Sequence, residues 1–188
     1  MRYSTEHKEQ TRQKLVQSSG AIAKQGGFSA TGVAGLMKAI GLTGGAFYNH
    51  FPSKDDLFTE IVRQELSHSF INLRAQSAEL TRERLQDCLD RYLSLAHLHN
   101  PETGCAIPAL GAEIARADLS VREEAEHWVK ILHQAWAGAL GDEALAWVML
   151  SQCVGALVVA RMLASDDTQQ AVLEASRGFL RKSLQQAP

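Results

Sequence analysis

Cysteine and proline are scarce in this chain of 188 residues, which contains three cysteines and four prolines. The odd cysteine number argues for free thiols in a reducing compartment rather than a disulfide framework. The first thirty residues are too polar to hold the apolar core of a signal peptide. These absences predict a cytoplasmic protein rather than an exported one.

Motifs for enzymatic chemistry are also missing. The chain has no P-loop, dinucleotide-binding, zinc-protease or serine-hydrolase motif. The histidine pairs His97/His99 and His127/His133 do not show a metal-binding spacing on one helix face. We therefore expect no catalytic residues, no metal and no cofactor, and the chain is not predicted to be an enzyme.

Charge is distributed unevenly along the chain. Residues 1–54 contain seven Lys and Arg against two acidic residues, whereas the remainder contains twelve against nineteen. The formal net charge of -2 hides this gradient. A basic first quarter on an acidic body predicts that the first part meets a polyanion and that the second part does not.

Apolar residues recur at spacings of three and four, which predicts an all-α fold. We expect a first helix over 6–24 that stops at Gly26-Gly27, a second over 32–40 capped by Ser29 or Thr31 and ended by Gly41, and a third over 43–50 capped by Thr43. A long fourth helix follows Ser53 and should link two parts of the molecule. Five more are expected over 81–98, 106–116, 120–140, 144–164 and 168–184.

The stretch 144–164 is long and apolar enough to cross a bilayer. Ser151, Gln152 and Arg161 interrupt it, and acidic rather than basic residues flank it. We therefore interpret it as a helix buried in a core or a subunit interface.

Residues 31–50 have the layout of a helix-turn-helix, whose second helix enters the DNA major groove. The sequence TGVAGLMKAIGLTGGAFYNHFPSKDDLF resembles the DNA-binding segment of the TetR family of bacterial repressors. The resemblance rests on Thr31, Gly41, Thr43, Gly45, Phe47-Tyr48, His50-Phe51, Ser53-Lys54 and Asp56-Leu57, preceded by GGF at 26–28. Two departures are Gly44, where many members carry Lys or Arg, and Leu36-Met37 in place of Ile-Ala.

The resemblance implies a nine-helix TetR-like architecture. Residues 6–52 would form the DNA-binding head, with the helix-turn-helix at 31–50, and residues 53–188 would bind an effector and dimerise. A homodimer formed through the last two helices would bind a palindromic double-stranded DNA operator. A small-molecule or electrophile effector would release this repressor.

Residue chemistry suggests roles within the head. Thr43 offers a hydroxyl beside free backbone N–H groups, and Gly44 and Gly45 would let the backbone approach DNA closely. Phe47 and Phe51 should point into the core, and Lys54 at a helix start would require a nearby anion, interpreted as a DNA phosphate. We expect DNA contacts from Thr31, Thr43, Gly44, Gly45, Tyr48, Asn49, His50 and Lys54.

The effector site is expected in the second part of the chain. Aromatic side chains there, Phe70, Trp128, Trp136 and Trp147 among them, could line an apolar cavity or form plain core. Cys105 follows Gly104 at a predicted helix start, a location that makes a thiol reactive. The segment TGCAIPALGAE resembles a TetR subgroup that includes the electrophile-sensing repressor of N-ethylmaleimide reductase. Cys88 and Cys153 lie on apolar stripes and are expected to be inert.

Two other functions stay open from the sequence. A helical small-molecule carrier or enzyme would use the aromatic residues and leave the basic end incidental. A nonspecific DNA-coating protein would use the basic end without reading a sequence. The operator, the regulated genes, the effector and the sign of regulation are not encoded in any motif.

Overall fold

A computed structural model describes residues 5–74 and 80–186, with side chains over 6–68 and 80–186. Over these residues the chain is all-helical, as predicted, with nine α-helices and one 3-10 helix. The elements are α1 (Thr5–Gly26), α2 (Val33–Ala39), the 3-10 helix (Gly44–Asn49), α3 (Lys54–Arg74), α4 (Arg82–Tyr92), α5 (Leu95–His99), α6 (Ile107–Ile114), α7 (Leu119–Leu140), α8 (Glu143–Arg161) and α9 (Asp166–Gln186).

Several predicted helix ends are confirmed. Gly27 and Gly41 follow α1 and α2 with φ of +87° and +77°, the left-handed conformation that terminates helices. The Ser53 hydroxyl accepts a hydrogen bond from the Asp56 N–H at 3.0 Å and so caps α3.

The predicted caps of α2 are wrong. The residue preceding α2 is Gly32, and no side chain makes a capping hydrogen bond there. Ser29 lies too far back along the chain, and its hydroxyl donates instead to Glu113 at 2.7 Å. Thr43 does occupy the capping position of the next helix, but its hydroxyl makes no capping bond.

The predicted fifth helix is broken in two. Leu93 and Ser94 separate α4 from α5, because the Ser94 hydroxyl accepts a hydrogen bond from the His97 N–H at 3.2 Å and starts a new helix. α4 begins at Arg82, one residue after the predicted start, and the Thr81 hydroxyl caps it by accepting a hydrogen bond from the Arg84 N–H.

Two hydrophobic cores lie in the described part of the chain. The first contains the apolar faces of α1, α2, the 3-10 helix and α3, and it also includes Ala106, Leu110, Val121 and Ala125. The second is built by α4, α5, α8, α9 and the end of α7, where Trp136 and Leu140 lie. α7 therefore contributes to both cores. The described apolar side chains of α3 belong to the first core, and its far end lies outside the described side chains.

α8 packs between α7 and α9 on one side, but it is not buried on most sides as predicted, because its other side is exposed. Its length and hydropathy would also suit a membrane span, and no other helix of residues 5–74 and 80–186 has both properties. Its packed side is apolar, with Ala146, Met149, Leu150, Cys153, Ala156, Leu157 and Ala160 buried.

Candidate nucleic-acid interface and effector cavity

The 3-10 helix is held in place by its buried aromatic side chain. Phe47 is fully buried and packs against Phe51, with the ring centroids 6.1 Å apart. Leu36 and Met37 of α2 are also fully buried. The predicted inward orientation of Phe47 and Phe51 is confirmed, and it fixes which side of this helix faces solvent.

The opposite side of the 3-10 helix is open to solvent. Tyr48 is 69% exposed, and Thr43, Gly45 and Asn49 are exposed as well. Gly45 and Tyr48 are three residues apart, so they share one face of a 3-10 helix. A Cβ at Gly45 would have no neighbour within 4 Å, so the backbone there is open to close approach. The structure therefore leaves four of the predicted DNA-contact residues open to solvent.

Gly44 does not belong to that surface. A Cβ built on it would meet Ala34 of α2, with the Cα 3.4 Å and the Cβ 3.5 Å away. The prediction that Gly44 clears space for DNA is wrong in direction, because this glycine faces the packing between α2 and the 3-10 helix.

Thr31 and His50 lie at the edges of the head and are half-buried. The Thr31 methyl group would lie 3.2 Å from a Cβ at Gly35, so part of its side chain faces α2. Burial, together with the nearby charges of Lys8 and Arg12, lowers the pKa of His50. His50 Nδ1 is buried and has no hydrogen-bond partner among the described residues.

Lys54 differs most from its predicted environment. Its Nζ donates to the carbonyl oxygen of Phe28 at 2.8 Å and of Ser29 at 3.5 Å. The ammonium also lies 4.6 Å from the centroid of the Phe28 ring. The premise that only a DNA phosphate could balance this charge is wrong, because two carbonyl dipoles and an aromatic face already do so.

A cavity of about 800 Å³ lies between the head and the rest of the chain. Its walls come from α1, α3, α4, α7 and the loop after α5, and they include Lys24, Glu65, Cys88, Tyr92, Cys105 and Trp136. Cys105 and Trp136 were predicted to belong to an effector site, and the structure brings them together. Trp136 is 6% exposed, and its indole N–H has no hydrogen-bond partner among the described residues.

Cys105 is half-buried at the cavity wall, and His97 fixes its backbone. The Cys105 N–H donates to His97 Nε2 at 3.0 Å, so the ring proton lies on Nδ1, which donates to the Tyr92 carbonyl at 2.7 Å. Burial lowers the pKa of His97, which favours this neutral form. A Cβ at Gly104 would overlap the His97 ring, so only glycine fits there. Burial, and next the neighbouring Cys105, raise the pKa of Tyr92.

The sequence prediction missed an ion pair in the cavity wall. Lys24 is 7% exposed, and its Nζ donates to Glu65 Oε2 at 2.7 Å and to the Gly104 carbonyl at 3.2 Å. The Lys24 charge had been assigned to the basic end of the chain as a whole. Helical spacing gave no signal that Lys24 turns inward, because it places this residue on the opposite side of α1 from Leu15.

The other predicted effector residues do not line this cavity. Trp128 is half-buried beside the first core, where its indole N–H donates to Glu124 at 2.9 Å. Trp147 is 42% exposed on α8 and stacks on His133, with the ring centroids 4.0 Å apart. Both indoles lie away from this cavity, but Trp147 lines a second cavity of about 620 Å³ with His133 and Gly141, so its effector role stays a prediction. Phe70 lies outside the residues whose side chains the structure describes.

The remaining cysteines differ from each other. Cys153 is 1% exposed in the second core, and burial raises its pKa to about 12, which suits an inert thiol. Cys88 is half-buried and lines the cavity that Cys105 also lines. In the described part of the chain, no group of three His, Cys, Asp or Glu side chains could hold a metal ion.

An exposed apolar stripe runs along α8 and reaches α9. Val148 and Val159 of α8 are 51% and 47% exposed, Met162 just after α8 is 78% exposed, and Phe179 of α9 is 51% exposed. Ser151 and Gly155 lie in the same stripe and are exposed. Apolar side chains at helical spacing on two adjacent helices are typical of a surface that a partner covers.

Residues 20–61 match the family model for bacterial regulatory proteins of the tetR family. The HTH-type transcriptional regulator AcrR of Shigella flexneri is 40% identical over 70 residues, which cover 37% of this chain and 32% of AcrR. The nucleoid occlusion factor SlmA of Marinobacter nauticus is 28% identical over 140 residues, covering 73% of this chain and 70% of SlmA.

The matched region thus spans about a third of the length of AcrR. Among solved structures, reduced NemR of E. coli superposes with a TM-score of 0.79 at 20% identity, covering 92% of this chain and 96% of NemR. The fold is therefore shared along nearly the whole chain, whereas the family-model match is limited to residues 20–61. Residues 20–61 therefore resemble the DNA-binding segment of bacterial regulatory proteins of the tetR family, and the chain shares the fold of reduced NemR.

Proposed function

We propose that this protein is a transcriptional regulator, acting as a repressor, that binds a double-stranded DNA operator. The exposed face of the 3-10 helix carries this proposal, because Thr43, Gly45, Tyr48 and Asn49 meet there on a helix pinned by Phe47. Seven Lys and Arg against two acidic residues in 1–54 supply the attraction to phosphate. Thr31, His50 and Lys54 are proposed to add further contacts, with Lys54 held by the Phe28 carbonyl.

The operator should be palindromic, because the protein is proposed to be a homodimer formed through α8 and α9. The exposed stripe of Val148, Val159, Met162 and Phe179 supports this assignment. A two-fold axis through that stripe would place two heads on successive major grooves, about 34 to 36 Å apart or a multiple of that.

The effector is proposed to enter the cavity lined by Cys105 and Trp136. An electrophile would form a bond from the Cys105 sulfur to one carbon of its activated double bond, and the thiol proton would pass to the neighbouring carbon. No oxidant is consumed. The added bulk would occupy a cavity whose walls include α1 of the head through Lys24.

We propose that residues 6–52 bind DNA and that residues 53–188 bind the effector and dimerise. The protein is proposed to be cytoplasmic. These two parts share the first hydrophobic core, since Leu110 and Val121 pack with α1 to α3. A change in the second part therefore has a packed route to the head.

Fluorescence anisotropy on labelled DNA flanking the gene, with random DNA as competitor, tests this function. We expect binding that resists the competitor, that N-ethylmaleimide abolishes, and that survives the reagent in Cys105→Ser. Cys88→Ser is the matched control, since this half-buried thiol lines the same cavity and should not protect.

Binding that N-ethylmaleimide leaves intact would keep the regulator and reject the thiol-sensing role. The absence of preference for any selected DNA would reject the regulator. It would favour the second candidate, a small-molecule-binding protein without a DNA role, for which the cavity of about 800 Å³ is the observation.

A further inference from the structure

One carboxylate from the second part of the chain binds the turn that follows α1 in the DNA-binding head. Glu113 lies in α6, and its Oε1 accepts a hydrogen bond from the Phe28 N–H at 2.9 Å. Its Oε2 accepts from the Ser29 N–H and the Ser29 hydroxyl, each at 2.7 Å. The Lys54 ammonium holds the Phe28 carbonyl of the same turn at 2.8 Å. We call residues 27–29 the head turn.

The head turn is shaped to admit this carboxylate. Gly27 has φ of +87°, and a Cβ on it would lie 3.0 Å from Glu113 Oε1. Partial burial opposes ionisation of Glu113, but the hydrogen bonds from Ser29 and Phe28 outweigh it and lower its pKa. Hydrogen bonds to an ionised acceptor are short and strong, so these three form a firm attachment.

The other end of α6 lies at the effector cavity. α6 begins at Ile107, two residues after Cys105, and Leu110 anchors it fully buried in the first core. Eight helical residues span about 12 Å and move as a rigid rod. The Gly104 carbonyl, just before α6, accepts a hydrogen bond from Lys24 near the end of α1. One short helix thus connects the cavity loop to the head turn.

We infer that Glu113 is a positioning residue, which sets the orientation of the DNA-binding head by attaching the head turn to α6. α6 thus connects the Gly104–Cys105 loop at its start with Phe28 and Ser29, which Glu113 binds near its end. This inference rests on the proposed function, because it concerns how the head is presented to DNA.

A merely structural carboxylate would behave differently. Its removal would lower stability and weaken binding to every operator alike. A positioning carboxylate fixes the separation of the two heads in the dimer. Its removal would also relax the requirement for one half-site spacing.

The test uses an operator selected from random DNA by the wild-type protein, together with copies in which one base pair is added or removed between the half-sites. We expect the wild type to lose about 10-fold or more in affinity on changing the spacing. Glu113→Ala should lose less than about 3-fold. Glu113→Gln, which retains an acceptor oxygen, should fall between them.

Glu124→Gln is the matched control. Its carboxylate is also bound across helices, by Arg63 at 3.1 Å and by Trp128 at 2.9 Å, but it does not contact the head turn. It should keep the wild-type spacing requirement. Ser29→Ala removes the single hydroxyl bond from the head turn and provides a milder variant if Glu113→Ala does not fold.

Hydrogen exchange reports on the attachment without DNA. The Phe28 and Ser29 amides should exchange faster in Glu113→Ala and at the wild-type rate in Glu124→Gln. Faster exchange with an unchanged spacing requirement would overturn the positioning role alone. Failure of the wild type to select any DNA sequence would overturn the proposed function and this inference with it.

Discussion

Position 27 requires glycine for two reasons, its backbone conformation and its close neighbour. Its φ of +87° belongs to the left-handed region, and the Glu113 carboxylate approaches it to 3.0 Å of where a Cβ would lie. We expect Gly27→Ala to lower the free energy of unfolding by about 1 to 2 kcal/mol, measured by urea denaturation. Gly26→Ala is the control, because a Cβ there would meet nothing within 4 Å. Equal effects of the two substitutions would contradict this account.

The sequence predicted which side chains of the head are buried better than it predicted which polar groups bind each other. Phe47 and Phe51 could be placed in the core because helical spacing sets the direction of a side chain. The partner of Lys54 could not, because the Phe28 carbonyl points to it only after the head turn has formed. Glu113 was missed for a similar reason, as it lies more than eighty residues from the amides it binds.

At the scale of elements, the stability of α5 and of the loop after it should depend on pH. The folded form holds His97 neutral, since its Nε2 accepts from Cys105 and burial lowers its pKa below the ordinary 6.5. The unfolded chain therefore binds more protons just below pH 6.5, so stability should fall as the pH falls through that value.

Thermal unfolding between pH 7.5 and 5.5 measures this dependence. His97→Gln should reduce the fall in melting temperature on acidification, because it removes the titrating ring. His99→Gln should keep the wild-type fall, since His99 is an exposed neighbour in the same helix. An unchanged fall in His97→Gln would show that other groups are responsible.

The exposed stripe of α8 gives a second prediction at this scale. Val159→Glu places a charge in the centre of the proposed dimer surface, where its desolvation would be costly. We expect it to raise the dimer dissociation constant at least about 100-fold, a cost of about 3 kcal/mol, in sedimentation velocity experiments. Leu119→Glu, at a site that is 60% exposed on α7, should leave the dimer intact. A monomeric wild type would reject the assignment.

Helix positions were predictable from the sequence because the three-and-four spacing repeats through most of the chain. The break at Ser94 was not, because the apolar pattern continues through it while a local hydrogen bond to His97 decides the geometry. The 3-10 form of Gly44–Asn49 also depends on packing, since Gly44 faces α2 closely.

For the whole molecule, the charge gradient sets how DNA affinity responds to salt. If the dimer neutralises about six phosphates, the slope of log affinity against log salt should be about -5. Titrations at several potassium chloride concentrations measure it. A slope near zero would contradict a phosphate-binding role for the basic first quarter of the chain.

The contribution of α6 and α7 to the first core has a consequence for folding. Ala106, Leu110, Val121 and Ala125 complete a core whose other members come from the first 66 residues. A fragment that ends before α4 would expose that core to water, so we expect it to be largely unstructured by circular dichroism. Because α7 also enters the second core, the intact chain should unfold in one cooperative transition. Unfolding observed at Trp128, beside the first core, and at Trp136, in the second core, should have the same midpoint.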